Sequence, residues 1–216
     1  MSLSHHPNIV RNGLVAYFDA ANPKSYPMTG TTWTDLTKNK YLGTMSNVTF
    51  DPANGGSMSF NGTSSFISTN VANPGNTPIV FEFWINSSSA NPIGIFDSAP
   101  SQTNVLRNAP AGSVEWWNSS PAVAMGLTAN TWTHIVAVYR FATNRYIDFY
   151  RNGQLISTTA GSTTATYSWT TLRFGDINTG VNRYTGKIAV VRIYNKALTV
   201  PEVLQNYNAI KSRYGY

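Results

Sequence analysis

Hydrophobic and polar positions alternate along much of this chain. In Ile79–Asn86, IVFEFWIN, Phe81, Phe83 and Ile85 fall on one side and Glu82 and Trp84 on the other, the two-residue period of a strand. Trp132–Arg140, WTHIVAVYR, carries apolar residues on both sides and is predicted as a central strand. Gly13–Asp19 reads as a short strand, and Ser57–Thr69, SMSFNGTSSFIST, alternates around a turn at Asn61-Gly62. Shorter strands are predicted at Ile93–Asp97, Val114–Asn118, Leu172–Asp176 and Lys187–Tyr194. Arg145–Arg151 and Gln154–Thr159 flank Asn152-Gly153. Asn-Gly between two alternating runs marks a tight hairpin, because both central residues need positive φ. Residues 20–56 read as irregular, broken by Pro23, Pro27, Gly30, Pro52 and Gly55-Gly56.

The period changes near the end. In LTVPEVLQNYNAIKSRY, Thr199 and Glu202 have the spacing of a capping box, and Pro201 is tolerated in a first helical turn. Val203, Leu204, Tyr207 and Ile210 recur at helical spacing, so a short amphipathic helix is predicted over about Val200–Lys211. Many short strands between Gly, Pro and Asn turns, with one terminal helix, predict an all-β sandwich or barrel. Residues 1–12 read as an extended arm and 13–216 as one domain.

Composition changes this picture little. Charged residues make up 11% of the 216, and there is no cysteine to staple the fold. The opening MSLSHHPNIVRNG has no apolar segment of the kind a signal peptide needs, so none is expected. No run approaches the roughly 18 apolar residues of a membrane span. The net charge of +6 raises nucleic acid as a partner. The cations are scattered, however, and form no basic stripe, so neither nucleic acid nor membrane insertion is expected.

From Trp132 onward the residues resemble the laminin-G-like, concanavalin A-like jelly-roll domains. That pattern runs Trp-x-His-Val, a strand ending in Asn-Gly, an aromatic-x-Gly-x-Ile strand, and Arg-x-Tyr-x-x-Ala-Leu-Thr/Ser-x-x-Glu. Here it falls on Trp132, His134, Asn152-Gly153, Tyr184, Gly186, Ile188, Arg192, Tyr194, Ala197, Leu198, Thr199 and Glu202. SMSFNGTSSFIST is similar to an earlier strand pair of the family, and GLVAYFDAANPKSYPMTGTTWTDL resembles a leader carried by jelly rolls of tailed-phage virion proteins and some bacterial surface proteins. The resemblance implies a two-sheet antiparallel jelly-roll β-sandwich. It implies packing roles for most of these residues: Trp132 in a buried strand, Gly186 at a close backbone approach, Arg192 and Tyr194 near the helix.

The superfamily includes glucanases, which the resemblance says carry a compact Glu-x-Asp-x-(x)-Glu strand motif. The nine acids here lie far apart, at 19, 35, 51, 82, 97, 115, 148, 176 and 202, and a retaining pair needs carboxyls about 5 Å apart. His134 is the one histidine beyond the N-terminal arm, and it reads as a hydrogen-bonded framework residue. No phosphate loop and no zinc motif is present, so no catalysis is expected. Relatives hold calcium at one rim through Phe-Asp-Gly-x-Asp-Asp-Tyr. Here that stretch reads Phe60-Asn61-Gly62-Thr63-Ser64-Ser65-Phe66, with its carboxylate positions neutral. No cofactor is expected, and Asp176 and Asn178 of GDINTG are the remaining metal candidates.

GSVEWWNSSP is the best candidate for a binding surface. Adjacent Trp116 and Trp117 face opposite sides of a strand, so one is expected in the core and the other outward, joined by Arg107, Asn108 and Asn118. Two functions follow. Taken with the resemblance, the chain is expected to be a virion structural protein that assembles with other virion proteins and copies of itself. The alternative is a carbohydrate-binding module or adhesin recognising host-surface glycans.

Overall fold

The computed structural model describes residues 7–73, 75, 77–90, 94–99, 106–109, 113–116, 121–141, 145–161, 169–177 and 183–216. In chain order the strands are β1 (Leu14–Asp19), β2 (Thr32–Thr34), β3 (Leu42–Ser46), β4 (Thr49–Asp51), β5 (Ser57–Asn61), β6 (Phe66–Thr69), β7 (Ile79–Ser87) and β8 (Phe96–Ala99). They continue as β9 (Leu106–Ala109), β10 (Ser113–Trp116), β11 (Val123–Ala124), β12 (Trp132–Arg140), β13 (Tyr146–Arg151), β14 (Gln154–Ala160), β15 (Thr171–Phe174) and β16 (Thr185–Tyr194). The helix α1 (Val200–Ile210) and a 3₁₀ turn at Lys211–Tyr214 close the chain.

The strands form two antiparallel sheets. The first runs β14-β13-β12-β7-β16-β5-β4, with β1 added beside β16; the second runs β11-β10-β9-β8-β15-β6-β3-β2. The main core lies between them. Phe81, Phe83, Ile85, Ile135 and Val191 of the first sheet meet Ile67, Phe96, Leu172 and Phe174 of the second. Phe81 stacks on Phe96 with ring centroids 4.1 Å apart. The alternation left a sandwich or a barrel open; the structure is the two-sheet antiparallel sandwich that the resemblance implies, with the terminal helix that the helical spacing predicts.

The first sheet is covered on its other face too. Trp84, Trp132, Val190, Tyr207 and Tyr214 form one cluster there, and Val10, Val80, Val136, Tyr194, Leu198 and Val203 a second. The helix and its 3₁₀ tail are the lid. Thr199 and Glu202 make the capping box, the Thr199 N–H donating to Glu202 Oε2 at 2.8 Å. Asn8 and Val10 join the same lid. The Val10 N–H donates to Asn206 Oδ1 at 2.7 Å, Tyr194 Oη donates to Val10 O at 3.2 Å, and Gln205 Nε2 donates to Asn8 O at 2.6 Å. Trp132 is therefore buried under this lid and not between the sheets.

Local expectations hold at two positions. Asn152 and Gly153 have φ of 49° and 79° between β13 and β14, as a tight hairpin requires. Gly186 has φ 142°, and a Cβ there would lie 2.4 Å from Asn86 O, so the close approach of β16 to β7 excludes a side chain.

One expectation is corrected. Residues 20–56 hold short strands β2, β3 and β4, too short for their one or two apolar anchors to register as alternation. The turn expected at Asn61-Gly62 separates two strands that enter different sheets: β5 joins the first and β6 the second. Asn61 organises the corner, its Oδ1 accepting the N–H groups of Thr63, Ser64 and Ser65 at 2.8, 2.8 and 3.1 Å. Strands β9 and β11 were not legible at all, being short and weakly patterned.

Candidate functional site

The outer face of the second sheet carries no lid among the described residues. Strand alternation sends Ile67, Leu172 and Phe174 into the core and leaves Phe66, Ser68, Thr171 and Arg173 partly exposed on the other side. Ser68 sits between Thr44 of β3 and Arg173 of β15 in the pairing register. Leu42, Thr44, Ser68, Asn70 and Thr171 line a shallow groove of about 340 Å³ on this face. Asn70 Oδ1 accepts the Leu42 N–H at 2.7 Å, which fixes the carboxamide at the groove's end. The groove walls thus offer hydroxyls, an amide and one exposed aliphatic side chain, with no formal charge.

Beside the groove lies a charged and aromatic cluster. The guanidinium carbons of Arg173 and Arg183 lie 5.2 and 5.5 Å from the Phe66 ring centroid. Both arginines reach Asp176, from Arg173 Nη1 at 3.5 Å and from Arg183 Nε at 3.7 Å. Burial pushes the Asp176 carboxyl up, and the two arginines only partly offset it. Asp97 is fully buried and is the register partner of Arg173 on β8. The cluster holds Phe66 at the end of the hydroxyl row.

A second charged group lies under the lid. Glu82, His134, Arg192 and Asn206 are all fully buried. Glu82 Oε1 pairs with Arg192 Nη1 and lies 2.9 Å from His134 Nε2; Glu82 Oε2 accepts Asn206 Nδ2 at 2.7 Å. Burial works to raise the Glu82 carboxyl; Arg192, His134 and Asn206 outweigh it and hold it below its ordinary range. His134 is thus engaged as the framework residue expected from its pattern, ring-packed against Trp84 and Tyr207. The other acids whose side chains are described also take part in contacts. Asp19 pairs with Arg213, Asp51 with Lys187, Asp148 with Arg140 and Glu202 with Lys196. Asp35 accepts Tyr17 N at 2.7 Å and Thr37 N at 2.9 Å.

The described backbone of the stretch predicted from GSVEWWNSSP, Ser113–Trp116, falls on the same second sheet. Trp116 is the last residue of β10, in register with Leu106; Arg107 pairs with Glu115 and Asn108 with Val114. Trp117 and Asn118 lie outside the described residues, as does Asn178. Asp176 is described, and two guanidinium groups surround it, an arrangement that repels a cation. The calcium position of relatives does not fit here either. Asn61 Oδ1 is taken by three N–H groups, and Ser65 Oγ donates to Asn47 O at 2.5 Å, so neutral hydrogen bonds occupy the corner. Among the described residues no group of three or more His, Asp or Glu side chains could hold a metal ion. No helix among them is long and apolar enough to cross a membrane.

Sequence reasoning missed the groove of Thr44, Ser68, Asn70 and Thr171. One signal was available, the alternation of Phe66 and Ser68 in SSFIST; their neighbours come from strands far apart in the chain.

Several solved structures share this architecture. The receptor binding domain of botulinum neurotoxin C/D mosaic serotype matches with a TM-score of 0.68 at 15% identity, over 90% of this chain and 51% of that one. The ligand binding domain of botulinum neurotoxin serotype D in complex with N-acetylneuraminic acid matches with 0.68 at 16%, over 90% and 50%. The binding domain of Paraclostridial Mosquitocidal Protein 1 matches with 0.68 at 15%, over 91% and 52%. This chain spans about half the length of each, and the likeness is one of fold. No curated protein matches the chain in sequence. The model of the concanavalin A-like lectin/glucanases superfamily, of the laminin G type, matches residues 60–204, which run from the end of β5 to the middle of α1, and the chain belongs to that family.

Proposed function

We propose that this domain binds carbohydrate through the open face of its second sheet and does so without catalysis. The observation that carries the reading is Phe66, held by Arg173 and Arg183 at the end of a row of uncharged hydroxyl and amide groups. An aromatic ring covers the C–H face of a sugar, and hydroxyls and amides exchange hydrogen bonds with its edge. Family membership supports the class of ligand, and one fold neighbour is described in complex with N-acetylneuraminic acid. The acids engaged within the fold speak for binding over glycoside hydrolysis.

A virion role rests on the leader's resemblance to jelly rolls of tailed-phage proteins, and it is compatible with carbohydrate binding. A domain of this kind on a particle would join other virion proteins, or copies of itself, and present the open face to host-surface glycans. The test is equilibrium binding of a panel of neutral oligosaccharides to the full chain and to Phe66→Ala and Ser68→Ala. Affinity for at least one neutral oligosaccharide, reduced about tenfold or more in Phe66→Ala, is expected. No binding by the unaltered protein, or binding indifferent to both substitutions, overturns the reading.

A further inference from the structure

A larger groove lies away from the open face, where β1 meets the loop that follows β2. It encloses about 600 Å³, and its walls include Arg11, Tyr17, Asn22, Leu36, Thr37 and Lys38. Its volume falls within the range of small-molecule sites. The chain builds it from the leader stretch, GLVAYFDAANPKSYPMTGTTWTDL, with residues just before it.

The hydrogen-bonding capacity of the walls is one-sided. Arg11 and Lys38 are exposed and have no ion-pair or hydrogen-bond partner for their side chains among the described residues. Asn22 Oδ1 already accepts the Lys24 N–H at 2.9 Å, so what Asn22 retains is its amide nitrogen, a donor. The Tyr17 hydroxyl donates to Asp19 Oδ2 at 2.9 Å, and the Thr37 hydroxyl donates to Asp35 Oδ2 at 2.5 Å. The two nearest carboxylates are consumed within the fold. Asp19 is held by Arg213 Nη1 at 3.0 and 3.2 Å, and Asp35 by the N–H groups of Tyr17 and Thr37. The groove therefore presents two cations and an amide donor with no carboxylate among its lining residues.

The donors are held in place. Leu14 N donates to Arg11 O at 3.1 Å, and Val10, next to Arg11, is pinned to Asn206 of the helix. Lys38 follows the Asp35–Thr37 turn. The half-buried Tyr17 ring lines the same groove, with the Arg192 guanidinium carbon 4.9 Å from its centroid. The Arg192 guanidinium packs against this ring, with its charge matched by Glu82. Tyr17 and Leu36 supply apolar surface for a ring.

We propose that this groove is a second ligand site and that it takes an acidic saccharide, with its carboxylate or sulfate between Arg11 and Lys38 and its ring against Tyr17. A cation pair of this kind suits anionic oxygens, and the aromatic floor suits a sugar better than a bare ion. The site is separate from the open face, and neither requires the other.

The experiment is calorimetric titration of the full chain, of an Arg11→Ala/Lys38→Ala double variant and of Phe66→Ala. The probes are sialyllactose, a galacturonic acid trisaccharide, a sulfated disaccharide, lactose and inorganic phosphate. At least one acidic probe is expected to bind more tightly than lactose or phosphate, to weaken as salt is raised, and to lose about tenfold or more in the double variant while Phe66→Ala retains it. Which acidic probe binds tells carboxylate from sulfate. The inference is overturned if no acidic probe binds, if the double variant binds as the unaltered protein does, or if phosphate binds as tightly as the sugars. Loss in Phe66→Ala alone would place the acidic sugar on the open face and overturn this inference while leaving the first reading intact. The two exposed cations make no bond to the fold, so the double variant is expected to melt with the unaltered protein.

Discussion

The two sheets of this sandwich share a core and differ in what lies behind them. Behind the first sheet sit α1, the 3₁₀ tail and residues 8–12, covering a buried charge network and two apolar clusters. Behind the second lie Phe66, Ser68, Thr44 and Thr171, a surface with no lid among the described residues. The strands record the difference. β7 and β12 are buried along almost their whole length on both faces, whereas β6 alternates between half-buried and buried positions. A sheet covered twice contributes stability, and a sheet covered once is free to contribute recognition. Burial of Glu82 is tolerable because Arg192 pairs with it, and His134 of β12 and Asn206 of the lid take up its remaining hydrogen-bonding capacity.

The sharpest way to break this contrast is to unbalance the buried network. Glu82→Gln leaves Arg192 charged and without its counter-ion in a fully buried position, and is expected to cost about 3–5 kcal/mol in denaturant unfolding. Glu82→Gln combined with Arg192→Met is expected to be less damaging than Glu82→Gln alone, because no uncompensated charge remains. The same residue sets a pH signature. The folded Glu82 carboxyl lies below its ordinary value, so the stability it contributes is present at neutral pH and is lost as pH falls through the unfolded and then the folded value. Asp51 and Glu202, held low by Lys187 and Lys196, act in the same direction; Asp176, pushed up by burial, acts against them. Stability measured from pH 7 downward is expected to fall below about pH 4.5, less steeply in the double variant. A double variant with the same acid limb as the unaltered protein would remove Glu82 from this role.

A smaller effect tests whether the N-terminal segment belongs to the lid. Val10 is buried against Tyr194, Leu198 and Val203. Val10→Ala removes two methyl groups from that cluster and keeps the backbone bond to Asn206. A loss of about 2 kcal/mol is expected from transfer and cavity terms together. An unchanged unfolding midpoint would mean that residues 8–12 rest on the domain without stabilising it.

Legibility in the sequence follows the same division. β7, β12, the Asn152-Gly153 hairpin and the Thr199–Glu202 cap were readable because each signal is local and strong. Their number and spacing narrowed the fold to a sandwich or barrel, and the resemblance chose the sandwich. What covers each sheet was not readable, since the Val10–Asn206 bond joins residues 196 positions apart and no periodicity carries that information. The open face was half legible. Its strand β10 is legible through the alternation around Trp116, but the groove takes its walls from β3, β6 and β15, which come together only through the strand order of the second sheet. Arg11 and Lys38 read as scattered cations for the same reason: the docking of residues 8–12 places them around one groove.

The smallest expected effect on stability is the one that most sharpens the contrast. Phe66 is partly exposed, on the face of β6 opposite Ile67. Its ring meets guanidinium groups of Arg173 and Arg183, whose charges are also matched by Asp176. Removing the ring leaves those ion pairs in place and opens no cavity between the sheets. Phe66→Ala is therefore expected to change stability by about 1 kcal/mol or less, against several kcal/mol for Glu82→Gln on the covered side. Thermal unfolding of the two variants side by side decides the matter. A loss at Phe66 comparable to that at Glu82 would show that the ring holds the second sheet together, and the open face would then need another residue as its sugar platform. A small loss, with carbohydrate binding gone, assigns Phe66 to recognition and leaves the lid of the first sheet as the part of the molecule that keeps it folded.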